Sequence, residues 1–273
     1  MSDVAATAPS HDGFAHKALK TSGVIWFLAA TVGQWLFVYY ILMTHGRATL
    51  SGNYSEWDDV GLISGYVDGD LIANLLFISH VLLAVIMIVG GTLQLSPPVR
   101  KRFPTLHRWT GRVFLVIALF LAIGGYYMTW ARGVRLSDIG AMGVSFNAHL
   151  IVFFSALTFY YAYKRQIDTH RRWAMRLFIV AHGVWFFRIS LMGWYLINQG
   201  PVGSTRQLDG PADLVISFAC YLVPLAMLEL YQRAVDGHST RFKWAMTVGV
   251  LLGTVAMSIG IFAALMMMWL PHI

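Results

Sequence analysis

The chain has 273 residues, 57% of them hydrophobic and 12% charged, with a formal net charge of +7; its mean hydropathy is +0.60. No soluble domain of this length buries so much apolar content, so the chain reads as an integral membrane protein. The single cysteine, Cys220, excludes an internal disulfide, a Cys-x-x-Cys-His haem attachment, iron–sulfur ligation and thiolate metal sites.

Residues 1–21 are polar, with no apolar stretch ahead of a small-residue cleavage site. They read as a short, loosely ordered tail, and the first span serves as its own insertion signal. Runs of about 20 apolar residues then predict seven spans, at roughly 22–44, 70–95, 107–131, 141–164, 172–198, 211–233 and 244–270. The runs are continuous, not alternating, which excludes a β-barrel reading. The expected fold is therefore an all-α integral membrane protein with a single transmembrane domain over residues 22–270. Spans 2–5, about 70–198, are expected to form a central four-helix bundle, with spans 6 and 7 over 211–270.

Basic residues set the expected orientation. The tail, the connections between spans 2 and 3, 4 and 5, and 6 and 7, and the adjoining helix starts carry most of them, from Lys17 and Lys20 through Arg100, Lys101, Arg102, Arg171 and Arg172 to Arg241 and Lys243. The far side has Arg47, Arg132, Arg135 and Arg206, together with most of the acids: Glu56, Asp58, Asp59, Asp68, Asp70, Asp138, Asp209 and Asp213. The positive-inside rule then puts the N-terminus in the cytoplasm and the C-terminus outside, and the net charge needs no nucleic-acid partner.

Within spans 2–5 the histidines follow a pattern. His80 lies in span 2 and His149 in span 4, both in the outer half of the membrane. His107 opens span 3 in Leu106-His107-Arg108-Trp109-Thr110-Gly111-Arg112, and His170 opens span 5 in Thr169-His170-Arg171-Arg172-Trp173-Ala174-Met175-Arg176. Gln94 and Ser96-Pro97-Pro98-Val99-Arg100 form a stiff turn between spans 2 and 3. Trp follows His by two positions in one copy and three in the other, so the match contains a one-residue insertion. The halves 2–3 and 4–5 read as two parallel repeats related by an axis along the membrane normal. Alternate spans would then face each other, pairing His80 with His149 near the outer side and His107 with His170 near the inner. About fifteen residues of helix would separate the two pairs by roughly 20 Å.

Two axial imidazoles in each pair suit a non-covalent haem b, one or two per chain. Arg188 follows His170 by eighteen residues, five helical turns, and would balance a haem propionate. Gly91, Gly111 and Gly125 share faces with the histidines and would let a flat macrocycle approach the backbone. Arg112 and Arg176 would border the site of a quinol or other small redox carrier at the cytoplasmic rim. His182 is about a third of a turn out of phase with His170 and reads as a helix–helix hydrogen bond or a site-lining group, not a ligand. Glu229 lies where it reaches water or an arginine. His11, His16, His45, His238 and His272 fall in tails or at membrane edges and are assigned no role.

The same residues admit plainer readings. Trp109, Trp173 and their arginines also suit interfacial anchoring without a cofactor, and buried histidines also bond across helices as structural glue. A different class of function is a transporter or accessory membrane subunit, with a proton or anion path along the buried histidines and Arg188. Against it stands the expected lack of broken helices and midplane carboxylates in spans 2–5. A divalent metal site using fewer histidines is a third reading.

At His80, His107-Arg108-Trp109 with Gly111-Arg112, His149, and His170-Arg171-Arg172-Trp173 with Met175-Arg176, the chain resembles a family of predicted bacterial membrane proteins of unassigned function. The family's second element runs His-Arg-x-Trp-Met-x-Arg; here Ala174 displaces its Met-Arg part by one. The resemblance covers about residues 75–190, leaving spans 1, 6 and 7 outside, and implies a bacterial cytoplasmic membrane. In arrangement the core is similar to two-haem b-type cytochromes that carry electrons across membranes. The expectation is transmembrane electron transfer by a bis-histidine cytochrome, an oxidoreductase component, with lipid, a quinone-like carrier and a membrane protein as partners.

Overall fold

The computed structural model describes residues 11–57, 65–133, 135 and 137–273. Asp58 and Asp59, counted above among the far-side acids, and residues 1–10 of the tail lie outside the described residues. The described residues form ten α-helices and no strand: α1 His11–Ile41, α2 Arg47–Ser51, α3 Leu71–Leu95, α4 Pro97–Arg102, α5 Pro104–Trp130, α6 Asp138–Tyr163, α7 Ile167–Ala181, α8 Gly183–Ile197, α9 Pro211–Asp236 and α10 Thr240–Ala264. Six stretches are long and apolar enough to cross a membrane: Gly13–Ser51, Leu71–Leu95, Pro104–Trp130, Asp138–Tyr163, Pro211–Asp236 and Thr240–His272. The pair α7 and α8 makes a seventh if the 51° bend between them belongs to one span. Between 22% and 39% of each apolar window is buried inside the protein, and the exposed side chains face the bilayer that such helices imply.

Helix ends follow local chemistry. Asp70 accepts the Ala73 amide to start α3, and Ser137 accepts the Gly140 amide to start α6. Pro97 and Pro104 occupy the first positions of α4 and α5, where a missing N–H leaves no bond unmade. The stiff turn between spans 2 and 3 is thus a short helix, and His107 sits within the first turn of α5.

Two expectations change. The tail is not loose from residue 11 onward. Ala15, Leu19 and Ser22 recur at helical spacing and are buried, and Leu19 packs with Ala234, Met246 and Val250 from α9 and α10. That contact extends α1 well before residue 22. Span 5, expected to be continuous, is broken at His182 and Gly183. Apolar surroundings cannot solvate backbone groups at such a break; the Val180 carbonyl accepts a backbone N–H at the end of α7 and, at 3.0 Å, the side-chain N–H of Asn147 on α6.

The helices pack in chain order around a ring. α1 lies against α3 and α10, α3 against α5, α5 against α6, α6 against α7, and α8 against α10, while α9 touches α6, α7, α8 and α10. One apolar core draws Met87, Phe114, Leu121, Ile151, Phe154 and Leu177 from α3, α5, α6 and α7. A second draws Phe37, Trp185, Ile189, Tyr221 and Trp269 from α1, α8, α9 and the C-terminal turn. The starts of α1, α5, α7 and α10 and the ends of α3, α6 and α9 share one end of the ring, called here the basic end.

Candidate functional site

At the basic end a cleft of about 2310 Å³ opens between the two cores. Gly91 and Gln94 of α3, His107 and Gly111 of α5, Thr158 of α6 and His170 of α7 line one side. Lys20 of α1, Tyr231 and Gln232 of α9 and Met257 of α10 line the other. Arg100, Arg108, Arg112, Arg171 and Arg172 also line it, as do the apolar Phe114, Leu177, Phe178 and Phe186.

His107 and His170 both line this cleft, within electrostatic range of one another and of Arg100. His170 Nδ1 lies 2.9 Å from the Thr158 carbonyl oxygen. A carbonyl only accepts, so Nδ1 carries a proton, and in the neutral ring Nε2 is the nitrogen with the lone pair. His107 Nδ1 is buried without a hydrogen-bond partner among the described residues. Gln94 donates to the His107 carbonyl at 3.0 Å and also to Thr110, tying the end of α3 to the first turns of α5.

The other expected pair meets different surroundings. His80 places its ring against Gly124 and Gly125 of α5, and its Nδ1 is buried without a partner among the described residues. His149 is exposed, bonds the Ser145 carbonyl at 2.7 Å, and lies edge-on to Tyr126 at 6.0 Å between ring centroids. No hydrogen bond or ring contact joins His80 to His149 among the described residues.

The glycines make room for protein side chains. A Cβ on Gly125 would meet the His80 ring at 3.5 Å, one on Gly111 the Gln94 amide at 3.1 Å, and one on Gly91 Phe114, His182 and Phe178 at 3.1–3.3 Å. Arg112 stacks over Trp109 at 4.9 Å and Arg176 over Trp173 at 4.5 Å, the same i, i+3 contact in both histidine elements. Arg176 also forms a two-pronged ion pair with Glu229, at 2.5 and 2.7 Å, joining α7 to α9. Glu229 therefore reaches an arginine.

Arg188 does not share the face of His170. It sits over the Phe37 ring at 5.5 Å and contacts the Met268 sulfur, on the side of α1 and the C-terminal turn. The eighteen-residue register assumed a straight helix, and the bend at His182 turns α8 away from it.

Two histidines carry more structure than their positions suggested. His182 is 2% exposed, caps the end of α7 and gives its Nδ1 proton to the Phe178 carbonyl at 2.7 Å. Its Nε2 is buried without a hydrogen-bond partner among the described residues, beside Gly91. The adjacent Gly183 was the available signal, since a glycine following a polar residue inside an apolar run marks a break. His45, expected at a membrane edge, is buried in a π-helical turn over Leu42–Gly46. Nothing in its local sequence announces that burial. No group of three or more His, Cys, Asp or Glu side chains placed to hold a metal ion occurs among the described residues.

A family model described as "Predicted membrane protein (DUF2306)" matches residues 77–232, from α3 into α9. The match runs past the four histidine-bearing helices and takes in α9, which supplies Glu229 to Arg176. No curated protein and no solved structure matches the chain.

Proposed function

The chain belongs to the DUF2306 family of predicted membrane proteins, and from that premise we propose that its basic end holds a b-type haem between His107 and His170. The protein then passes electrons to or from a quinol or another small redox carrier. The observation that carries this reading is the convergence of two imidazoles from α5 and α7 on one cleft. The carbonyl bond on His170 Nδ1 leaves Nε2 as the ligating nitrogen and raises its basicity, as the outer partners of metal-bound histidines do.

The surrounding residues fit the group. Arg100, Arg108 and Arg112 in the cleft lining match propionate carboxylates, and Phe114, Leu177 and Phe178 keep water from the macrocycle. A haem held by His107 and His170 would supply one-electron exchange. The reading rests on the imidazoles and lining arginines, since Gly91 and Gly111 face protein side chains and Arg176 is held by Glu229. It needs one haem; a second, between His80 and His149, requires His149 to turn from its exposed position. The two Trp-x-x-Arg stacks support reading α3–α5 and α6–α7 as parallel repeats around a four-helix core. The excess of basic residues at the cleft end supports a bacterial inner-membrane orientation with the N-terminus inside and the C-terminus outside.

A second reading, a transporter or accessory subunit with a buried proton or anion path, is favoured by one observation. The break at His182 gives the chain a bent helix of the kind found at transport sites.

An oxidised and dithionite-reduced visible spectrum of protein expressed with haem supply separates the two. The expected result is a sharp b-type alpha band, lost in His107→Ala and in His170→Ala and retained in His149→Ala. A colourless folded protein, or a band indifferent to His107→Ala, sinks the haem reading. Proton flux in vesicles, abolished by His182→Ala, would then support the carrier.

A further inference from the structure

The cleft is larger than a single small-molecule site, which occupies about 300–1,000 Å³, against about 2310 Å³ here. Its α1 and α9 side has its own chemistry, which Arg171 adjoins from the residue after His170. Tyr231 stands against α1, where a Cβ on Gly23 would come 2.7 Å from its hydroxyl, and it lies within electrostatic range of Arg171. Lys20, one turn before Gly23, lines the same wall, and neither Lys20 nor Arg171 has an ion-pair partner among the described residues. Gln232 also lines it, is 6% exposed, and leaves both amide atoms without a hydrogen-bond partner among the described residues.

From this polar corner an apolar groove continues along the helices. On α9 its lining runs from Asp236 back to Ile216, twenty residues or about 30 Å, the thickness of a bilayer's hydrocarbon layer. Gly253 and Gly260 of α10 form part of its floor, and a Cβ on Gly253 would meet nothing within 4 Å.

We propose that this side of the cleft is a binding site for an anionic phospholipid, its phosphate held by Lys20, Arg171, Tyr231 and Gln232 and an acyl chain lying along α9 and α10. Charge chooses the occupant. Asp236 is held by Arg172, and Lys20 and Arg171 outweigh Asp168, so the corner keeps a net positive charge. Opening on a membrane-long apolar groove, it suits an anionic headgroup joined to a hydrocarbon tail. The site stands apart from the haem reading, because none of its residues is a proposed ligand and its test reads bound lipid, not colour.

The test is native mass spectrometry of the full chain in mild detergent, with phosphatidylglycerol or phosphatidylcholine added at equal concentration. Phosphatidylglycerol is expected to be retained at least fivefold more than phosphatidylcholine. The double variant Lys20→Gln with Arg171→Gln should lose that preference. Gly253→Leu, whose Cβ would meet nothing within 4 Å, should reduce lipid retention severalfold while leaving the unfolding temperature unchanged. Millimolar inorganic phosphate should not displace the lipid, since it lacks the tail; displacement by phosphate, with Gly253→Leu silent, would mean a free anion site and overturn the lipid assignment. Equal retention of the two lipids would overturn it as well.

Discussion

At the scale of single residues, the break at His182 shows how one side chain makes an irregular backbone tolerable in lipid. Gly183 lets α7 and α8 meet at 51°, and Asn147 adds a side-chain bond to the Val180 carbonyl, which also accepts a backbone N–H at the end of α7. Asn147→Leu is expected to remove that bond and to lower stability by about 0.5–1.5 kcal/mol, read as a fall in thermal unfolding temperature in detergent. Gly183→Ala should also destabilise, because its Cβ would lie 2.5 Å from the Asn147 amide nitrogen and force the bond apart. Identical unfolding of wild type and both variants would remove the bond from the account of the break. The same bend explains why Arg188 lies over Phe37 and away from His170: helical phase is a local rule and stops where the helix stops.

At the scale of elements, hydrophobic burial gains little between helices already in lipid, so close packing at small residues decides which helices meet. α8 and α10 approach so tightly at Gly193 and Gly260 that a Cβ on Gly260 would stand 2.5 Å from the Ile189 carbonyl oxygen, which is backbone and cannot yield. Gly260→Leu should therefore cost at least about 1–3 kcal/mol, whereas Gly253→Leu on the same helix should be silent in the unfolding assay. Equal effects at both positions would contradict the packing. The sequence spacing of Ala15, Leu19 and Ser22 already marked a buried face on the first helix, yet the polar residues between them read as a tail. Hydropathy averages over all faces of a helix and so hides one that is buried on a single side.

At the scale of the whole molecule, α7 and α9 are joined by Arg176 and Glu229, so the cleft is walled by helices far apart in sequence. Glu229→Gln keeps the shape but removes the charge. It is expected to lower stability by about 1.5–3 kcal/mol, with unchanged stability counting against a structural role for the pair. Orientation is testable because Cys220 is buried and gives little background labelling. In intact cells a membrane-impermeant maleimide should label Arg206→Cys and leave Lys101→Cys unlabelled until the membrane is opened. The reverse pattern would invert the topology proposed from the charge distribution.

The sequence by itself determined the membrane-spanning, all-helical character of the chain, the rough bounds of most spans and the concentration of positive charge at one end. These follow from properties that add up residue by residue along the chain: apolar length, charge and the placement of proline and glycine. The tertiary structure alone decided that His107 and His170 share a cleft while His149 stands exposed. It also decided that Arg176 meets Glu229, that His182 ends a helix, and that Tyr231 stands against Gly23 of the first helix and near Arg171. Those relations depend on how far each helix is rotated and bent against its neighbours. Rotation and bend are set by glycine contacts and backbone bonds between distant segments, which no pattern read along a single helix contains.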